Sequence, residues 1–222
     1  MVLVVEALGV GKAYGKKVVL SGVDFLAQAG ACAAVVGRNG AGKSTLLAIL
    51  AGYLAPDSGS VARGGEVAYC PQTDSLFEDL SVKDNLRFWA RVAFGRFGAS
   101  GECALDFAEL FGVADYLKKR VSRLSGGMRK CVAIACAMAG DPPLLILDEP
   151  FASLDIYHKN TLLRALGLLK AKGKCIVYTS HNLDEIVGLD SKIYTLVDGN
   201  LNHVGAEEFA REMRHSLHES RF

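Results

Sequence analysis

Residues 37–45 read Gly-Arg-Asn-Gly-Ala-Gly-Lys-Ser-Thr, a complete G-x-x-x-x-G-K-[ST] loop. Its glycines let the backbone turn tightly around phosphates with N–H groups pointing inward. Lys43 has the reach to bond β- and γ-phosphates, and the Ser44 hydroxyl suits Mg²⁺. The flanks agree. Residues 31–36, Ala-Cys-Ala-Ala-Val-Val, form an apolar run readable as a buried strand, and Thr45 to Ala51 is apolar with good helix formers. A strand that turns directly into a helix adds the positive end of the helix dipole to the loop amides. Gly37, Arg38, Asn39, Gly40, Ala41, Gly42, Lys43, Ser44 and Thr45 are therefore the first candidate site.

Composition sets the class around that loop. The chain has 222 residues, half of them hydrophobic, and a formal charge of +1. That length suits one large domain or a core with a subdomain. Near neutrality leaves no electrostatic footprint for nucleic acid or an anionic membrane. No apolar run approaches the ~20 residues that span a bilayer. The start, Met-Val-Leu-Val-Val-Glu, has no basic region or cleavage site and does not read as a signal peptide. The six cysteines (32, 70, 103, 131, 136 and 175) include no C-x-x-C pair. Several lie in apolar runs, where cysteine acts as a small hydrophobe. The expectation is a cytosolic protein with reduced thiols.

Along the chain, 2–5, 18–20 and 23–27 read as strands of an antiparallel sheet, and 67–70 as a strand stopped by Pro71. Residues 55–59, Ala-Pro-Asp-Ser-Gly, are turn chemistry. From Leu80 to about Gly140 the pattern is helical: a segment capped by Ser81 and running to Phe94, a glycine-rich break at 95–101, short helices at 102–111 and 114–119, and a helix over 128–139 behind Gly126-Gly127. Strand character returns at 144–147, 175–179, 192–197 and 201–204. Helices are read at 156–172, at 183–189 and from about Ala206. Asp198-Gly199-Asn200 reads as a hairpin turn. Strands alternating with helices predict a parallel α/β sheet. Residues 73–140 read as a helical subdomain inserted into a core made of 1–72 and 141–222.

Further motifs sit at telling places. Leu144–Leu147 is a buried strand that ends in Asp148-Glu149-Pro150. Asp148 would lie in reach of a metal held by Ser44, and Glu149 where it could polarise an attacking water. Between the two nucleotide motifs stands Leu124-Ser125-Gly126-Gly127-Met128. Here nearly the whole chain resembles the ATP-binding-cassette (ABC) family, whose signature reads L-S-G-G-Q or a close variant. The physical reading agrees: a hydroxyl, two freed amides and a helix N-terminus face an anion. Ser125 also reads as an ordinary helix N-cap.

The resemblance implies a fold and a set of roles. The fold is a P-loop NTPase core with a parallel sheet, an antiparallel β subdomain at the N-terminus and an inserted α-helical subdomain, the whole of 1–222 forming one ABC ATPase domain. ATP would be bound by the phosphate loop, by Tyr14 stacking on adenine, and by Ser125, Gly126 and Gly127 reaching the γ-phosphate held by a second chain. Ser44, Gln72 and Asp148 would hold Mg²⁺. Glu149, His181, Gln72 and Lys43 would carry catalysis, and Ser153-Leu154-Asp155 resembles the D-loop that crosses the dimer. Taken alone, Gln72 is a polar loop residue, His181 a surface histidine and Tyr14 a packing aromatic.

Two departures stand out: Met128 in place of the signature glutamine, with Cys131 where many members carry Arg, and Phe151-Ala152-Ser153 before the D-loop. Met128 and the segment 74–86 resemble ATPases that serve exporter-type permeases. The function implied is the ATP-hydrolysing subunit of a transporter, a homodimer or heterodimer on the cytoplasmic face of a membrane, driving a permease on a separate chain. A non-transport ABC ATPase acting in assembly or regulation is the alternative.

Overall fold

A computed structural model describes residues 2–94, 102–152, 154–209 and 211. The glycine-rich break at 95–101, Ser153 and most of the helix expected from about Ala206 lie outside them. The chain opens with β1 (Leu3–Tyr14) and β2 (Lys17–Gln28), continues through β3 (Cys32–Val36), α1 (Lys43–Ala51), β4 (Ser58–Arg63) and β5 (Val67–Cys70), and then enters α2 (Val82–Phe94), α3 (Glu102–Leu110) and α4 (Gly126–Ala137). It returns through β6 (Leu144–Leu147), α5 (Ile156–Ala171), β7 (Cys175–Thr179), α6 (Leu183–Gly188), β8 (Lys192–Val197) and β9 (Asn200–Val204).

The strands form two sheets. One is antiparallel, in the order β2-β1-β4; the other runs β5-β6-β7-β3-β8-β9, with only β9 antiparallel to its neighbour. Strands β3, β6 and β7 are buried along their whole length, which is why each reads as a continuous apolar run rather than an alternation. The alternation is still present, split between two cores. Ala34, Val36, Leu145 and Leu147 face the helices α2–α5, whereas Ala33, Val35, Leu144 and Ile146 face α1 and the antiparallel sheet. The helices of 73–140 share the first of these cores with α5 and the sheet.

The structure differs from the reading of the sequence at three places. The N-terminal strands are long continuous ribbons, carried across their glycines by irregularities in register. Strand β4 was not expected; its residues are mostly exposed, so no apolar pattern announces it. The helix expected at 114–119 is a single 3₁₀ turn, Ala114–Tyr116. The amides of Leu117 and Lys119 bond three residues back, to Ala114 O at 3.4 Å and Tyr116 O at 2.8 Å, while Leu117 O and Lys119 O accept from the amides of Lys83 and Val82 at 3.0 and 2.9 Å. The latter two amides open α2 and have no partner within their own helix.

Candidate nucleotide site

Strand β3 delivers the chain to Gly37, and α1 begins at Lys43 behind Gly42. Gly42 has φ 106°, and a Cβ there would lie 2.6 Å from Val19 Cγ1, so both backbone and space require glycine. No side chain caps α1 and its first turn carries no acid, which leaves the positive helix end free for an anion. Lys43 is buried, and its Nζ donates to Gly37 O at 2.7 Å and Arg38 O at 3.1 Å. Burial holds its ammonium below the usual lysine range, while Glu149 and Asp148 pull the other way. Ser44 is exposed beside it.

The carboxylates come from the end of β6. Asp148 N donates to Cys70 O at 2.9 Å, extending the pairing with β5. The Asp148 carboxylate is buried and accepts from Thr179 Oγ1 at 3.0 Å; the same hydroxyl oxygen accepts from Glu149 N at 2.6 Å. Thr179 at the end of β7 thus sets both acidic residues. Glu149 has φ 46°, a left-handed conformation that costs a non-glycine residue about 1–3 kcal/mol. Its carboxylate accepts from Gln72 Nε2 at 3.1 Å and lies 3.9 Å from His181 Nε2. Burial, then the Lys43 ammonium, holds His181 below the usual histidine range, against the opposing pull of Glu149 and Glu185.

Ser44, Gln72 and Asp148 offer a hydroxyl, an amide oxygen and one carboxylate. Among the described residues no three His, Cys, Asp or Glu side chains make a metal cage. That donor set fits Mg²⁺, which keeps several waters and is held by one or two carboxylates together with substrate phosphates.

Lys43, Gln72, Asp148, Glu149 and His181 therefore converge at the C-terminal edge of the parallel sheet, the usual ligand side of an open α/β sheet. Ser125, Gly126 and Gly127 make no hydrogen bond to this group. Ser125 and Gly126 are exposed, Ser125 Oγ caps α4 by accepting from Met128 N at 3.3 Å, and Gly127 packs on Leu154 and the His158 ring. Tyr14 is exposed at the end of β1, with Lys12 Nζ 5.9 Å from its ring centre. Asp155 caps α5 through His158 N at 2.9 Å. Two residues at the site escaped the reading of the sequence. Thr179 carried one faint signal, a hydroxyl closing an apolar strand. Lys130, whose buried Nζ reaches the carbonyls of Pro71 and Gln72 at 3.1 Å each, carried none.

A phosphate loop between β3 and α1, acids at the end of a neighbouring parallel strand and helices inserted between them define a mononucleotide-binding NTPase domain. The chain belongs to the ABC transporter family, whose model, described as "ABC transporter", matches residues 20–152, more than half of it. It is of the ATP-binding, ATP-hydrolysing subunit type. Nod factor export ATP-binding protein I of Mesorhizobium japonicum is 35% identical over 212 residues, covering 88% of this chain and 61% of that protein. The molybdate/tungstate import ATP-binding protein of Thermococcus kodakarensis is 35% identical over 225 residues, covering 95% of this chain and 67% of that protein. This chain thus spans about two thirds of the length of those relatives. A solved ATP-binding subunit of an ABC transporter superposes with a TM-score of 0.81 at 29% identity, covering 95% of this chain and 93% of the other.

Proposed function

We propose that two such chains sandwich two ATP molecules and hydrolyse them to drive a membrane permease. The observation that carries this is the convergence of Gln72 and His181 on the Glu149 carboxylate, beside the phosphate loop. The loop amides and Lys43 would bind the β- and γ-phosphates. Ser44, Asp148 and Gln72 would hold Mg²⁺, which when bound neutralises phosphate charge. Glu149 accepts a proton from the attacking water, and Gln72 and His181 fix its carboxylate. The exposed Ser125 and Gly126, with the open end of α4, would complete the site of the partner, and Tyr14 would pack on adenine.

The permease would dock on the cytoplasmic side, in a cavity of about 610 Å³ between the parallel sheet and the helices of 73–140, lined in part by Tyr53, Tyr69, Leu76 and Trp89. The direction we infer is export. Export and import relatives are equally identical, so this reading rests on Met128 and the segment 74–86.

Glu149→Gln tests the assignment because it keeps shape and hydrogen bonding and loses the base. ATP binding is expected to persist while hydrolysis falls roughly 10²-fold or more. Wild-type turnover in this variant removes Glu149 from the role.

A further inference from the structure

Helix α4 starts at the signature loop, and its first full turn carries Arg129 and Lys130. Both reach across to the segment that begins with Gln72. The Arg129 guanidinium meets the two Asp74 carboxylate oxygens at 3.2 and 3.3 Å and Glu78 Oε1 at 2.9 Å. Lys130 goes inward. It is 9% exposed, and its Nζ faces Pro71 O and Gln72 O at 3.1 Å each and Asp148 O at 3.5 Å. Among the described residues no carboxylate oxygen lies within 4 Å of it.

A buried ammonium with only backbone carbonyls for partners is an uncommon choice, because a core of this kind more cheaply takes an apolar side chain. What sets it apart is which carbonyls it holds. Its three donors match three acceptors: two on the peptides that launch Gln72, one on the residue whose side chain would hold Mg²⁺. The next residue, Glu149, meets Gln72 through its side chain. Lys130 therefore ties the root of the signature helix to both backbones that aim the catalytic groups.

We propose that Lys130 is a positioning residue that couples the signature loop to the catalytic side of its own chain. The proposal rests on the function proposed above. In the sandwich the signature loop of one chain touches the γ-phosphate held by the other. A shift of α4 on that contact is passed through Lys130 to Gln72 in the same chain, where its two shorter bonds lie, so one site senses whether the other is occupied. Since Lys130 touches no nucleotide, its loss is expected in turnover and not in affinity.

The test is Lys130→Met, which keeps stem length and packing and removes the charge. The expected result is a fall in kcat of about tenfold or more with KM for ATP changed by less than about threefold. A loosened fold alone would show as lost binding and a lowered Tm, so both are measured. The deciding readout is a double-mutant cycle with Gln72→Ala, followed by single-turnover phosphate release at high protein concentration. If Lys130 acts by placing Gln72, K130M changes the rate of Q72A by less than about twofold. Turnover of K130M within twofold of wild type, or effects that simply multiply in the double variant, overturns the proposal. Should K130M fail to fold, Lys130→Leu, which also removes all three donors, takes its place in the same cycle under the same criteria. If the wild-type protein does not hydrolyse ATP with Mg²⁺, the function proposed above fails and this inference with it. If the wild type hydrolyses and Glu149→Gln does not, a negative cycle counts against Lys130 alone.

Discussion

Glu149 shows how much local cost the site tolerates. A left-handed backbone is held at the end of a buried strand because Thr179 Oγ1 receives the Glu149 amide and bonds Asp148. His181 pays in another way: burial and the Lys43 ammonium disfavour its charged form. The sign of the pH effect follows. Its pKa in the folded chain lies below the unfolded value of about 6.5, so the unfolded chain binds more protons in that region. The stability this group contributes is full above about 6.5 and is lost as pH falls toward the folded pKa. His181→Gln cannot titrate. The Tm of wild type minus that of H181Q is therefore expected to decrease between about pH 7.5 and 5.5. A difference that stays flat or grows on acidification refutes the depressed histidine. At this scale the sequence marked residues whose side chains meet each other at the site, Gln72, Glu149 and His181, because each stands in a motif of its own. Thr179 was barely legible and Lys130 not at all. Thr179 meets Asp148 and Glu149 from 31 and 30 residues away, and Lys130 meets carbonyls 18, 58 and 59 residues away, and no local pattern encodes such partners.

Elements were legible in proportion to how much apolar surface they bury. Strands β3, β6 and β7 lie wholly inside, and their ends fell close to where the apolar runs stop. Strand β4 is exposed along most of its length and left no such trace, yet it has a definite task. Arg63 at its end donates from Nε to Leu50 O at 2.6 Å and from a second nitrogen to Ile49 O. Helix α1 has no basic residue in its own last turn, so Arg63 supplies the cation that this carbonyl-rich end favours. The helix that opens toward phosphate is thus anchored at its far end by the other sheet. Arg63→Met is expected to lower unfolding stability by about 1–2 kcal/mol in denaturant titration. ATP affinity should stay within about threefold, since the change lies at the opposite end of α1. A loss of affinity without a loss of stability would show that Arg63 acts on the loop itself.

On the scale of the whole molecule the fold divides the chemistry between two surfaces. One is the sheet edge where Lys43, Gln72, Asp148, Glu149 and His181 meet; the other is the exposed start of α4 with Ser125 and Gly126. Ser125 uses an oxygen lone pair to cap its helix, and its O–H remains able to donate to an anion. The chain carries both surfaces and does not join them within itself, which is the arrangement the proposed two-chain sandwich requires. In that sandwich Lys43→Ala would remove the cation proposed to bind phosphate, and Ser125→Arg would block the surface offered to the partner. Neither variant alone can assemble an intact site, since in each homodimer every site carries that defect. A mixed dimer places both defects in one site and leaves the other whole. ATP-dependent dimers are therefore expected to be absent from either variant alone. They should appear on mixing, with about one ATP trapped per two chains when both variants also carry Glu149→Gln to prevent hydrolysis. Sizing the dimers and counting the trapped nucleotide avoids any need for the two sites to turn over together. If mixing rescues nothing while the chain carrying Glu149→Gln alone dimerises with ATP, one intact site between two chains is not enough to hold the dimer, and the complementation expected here fails.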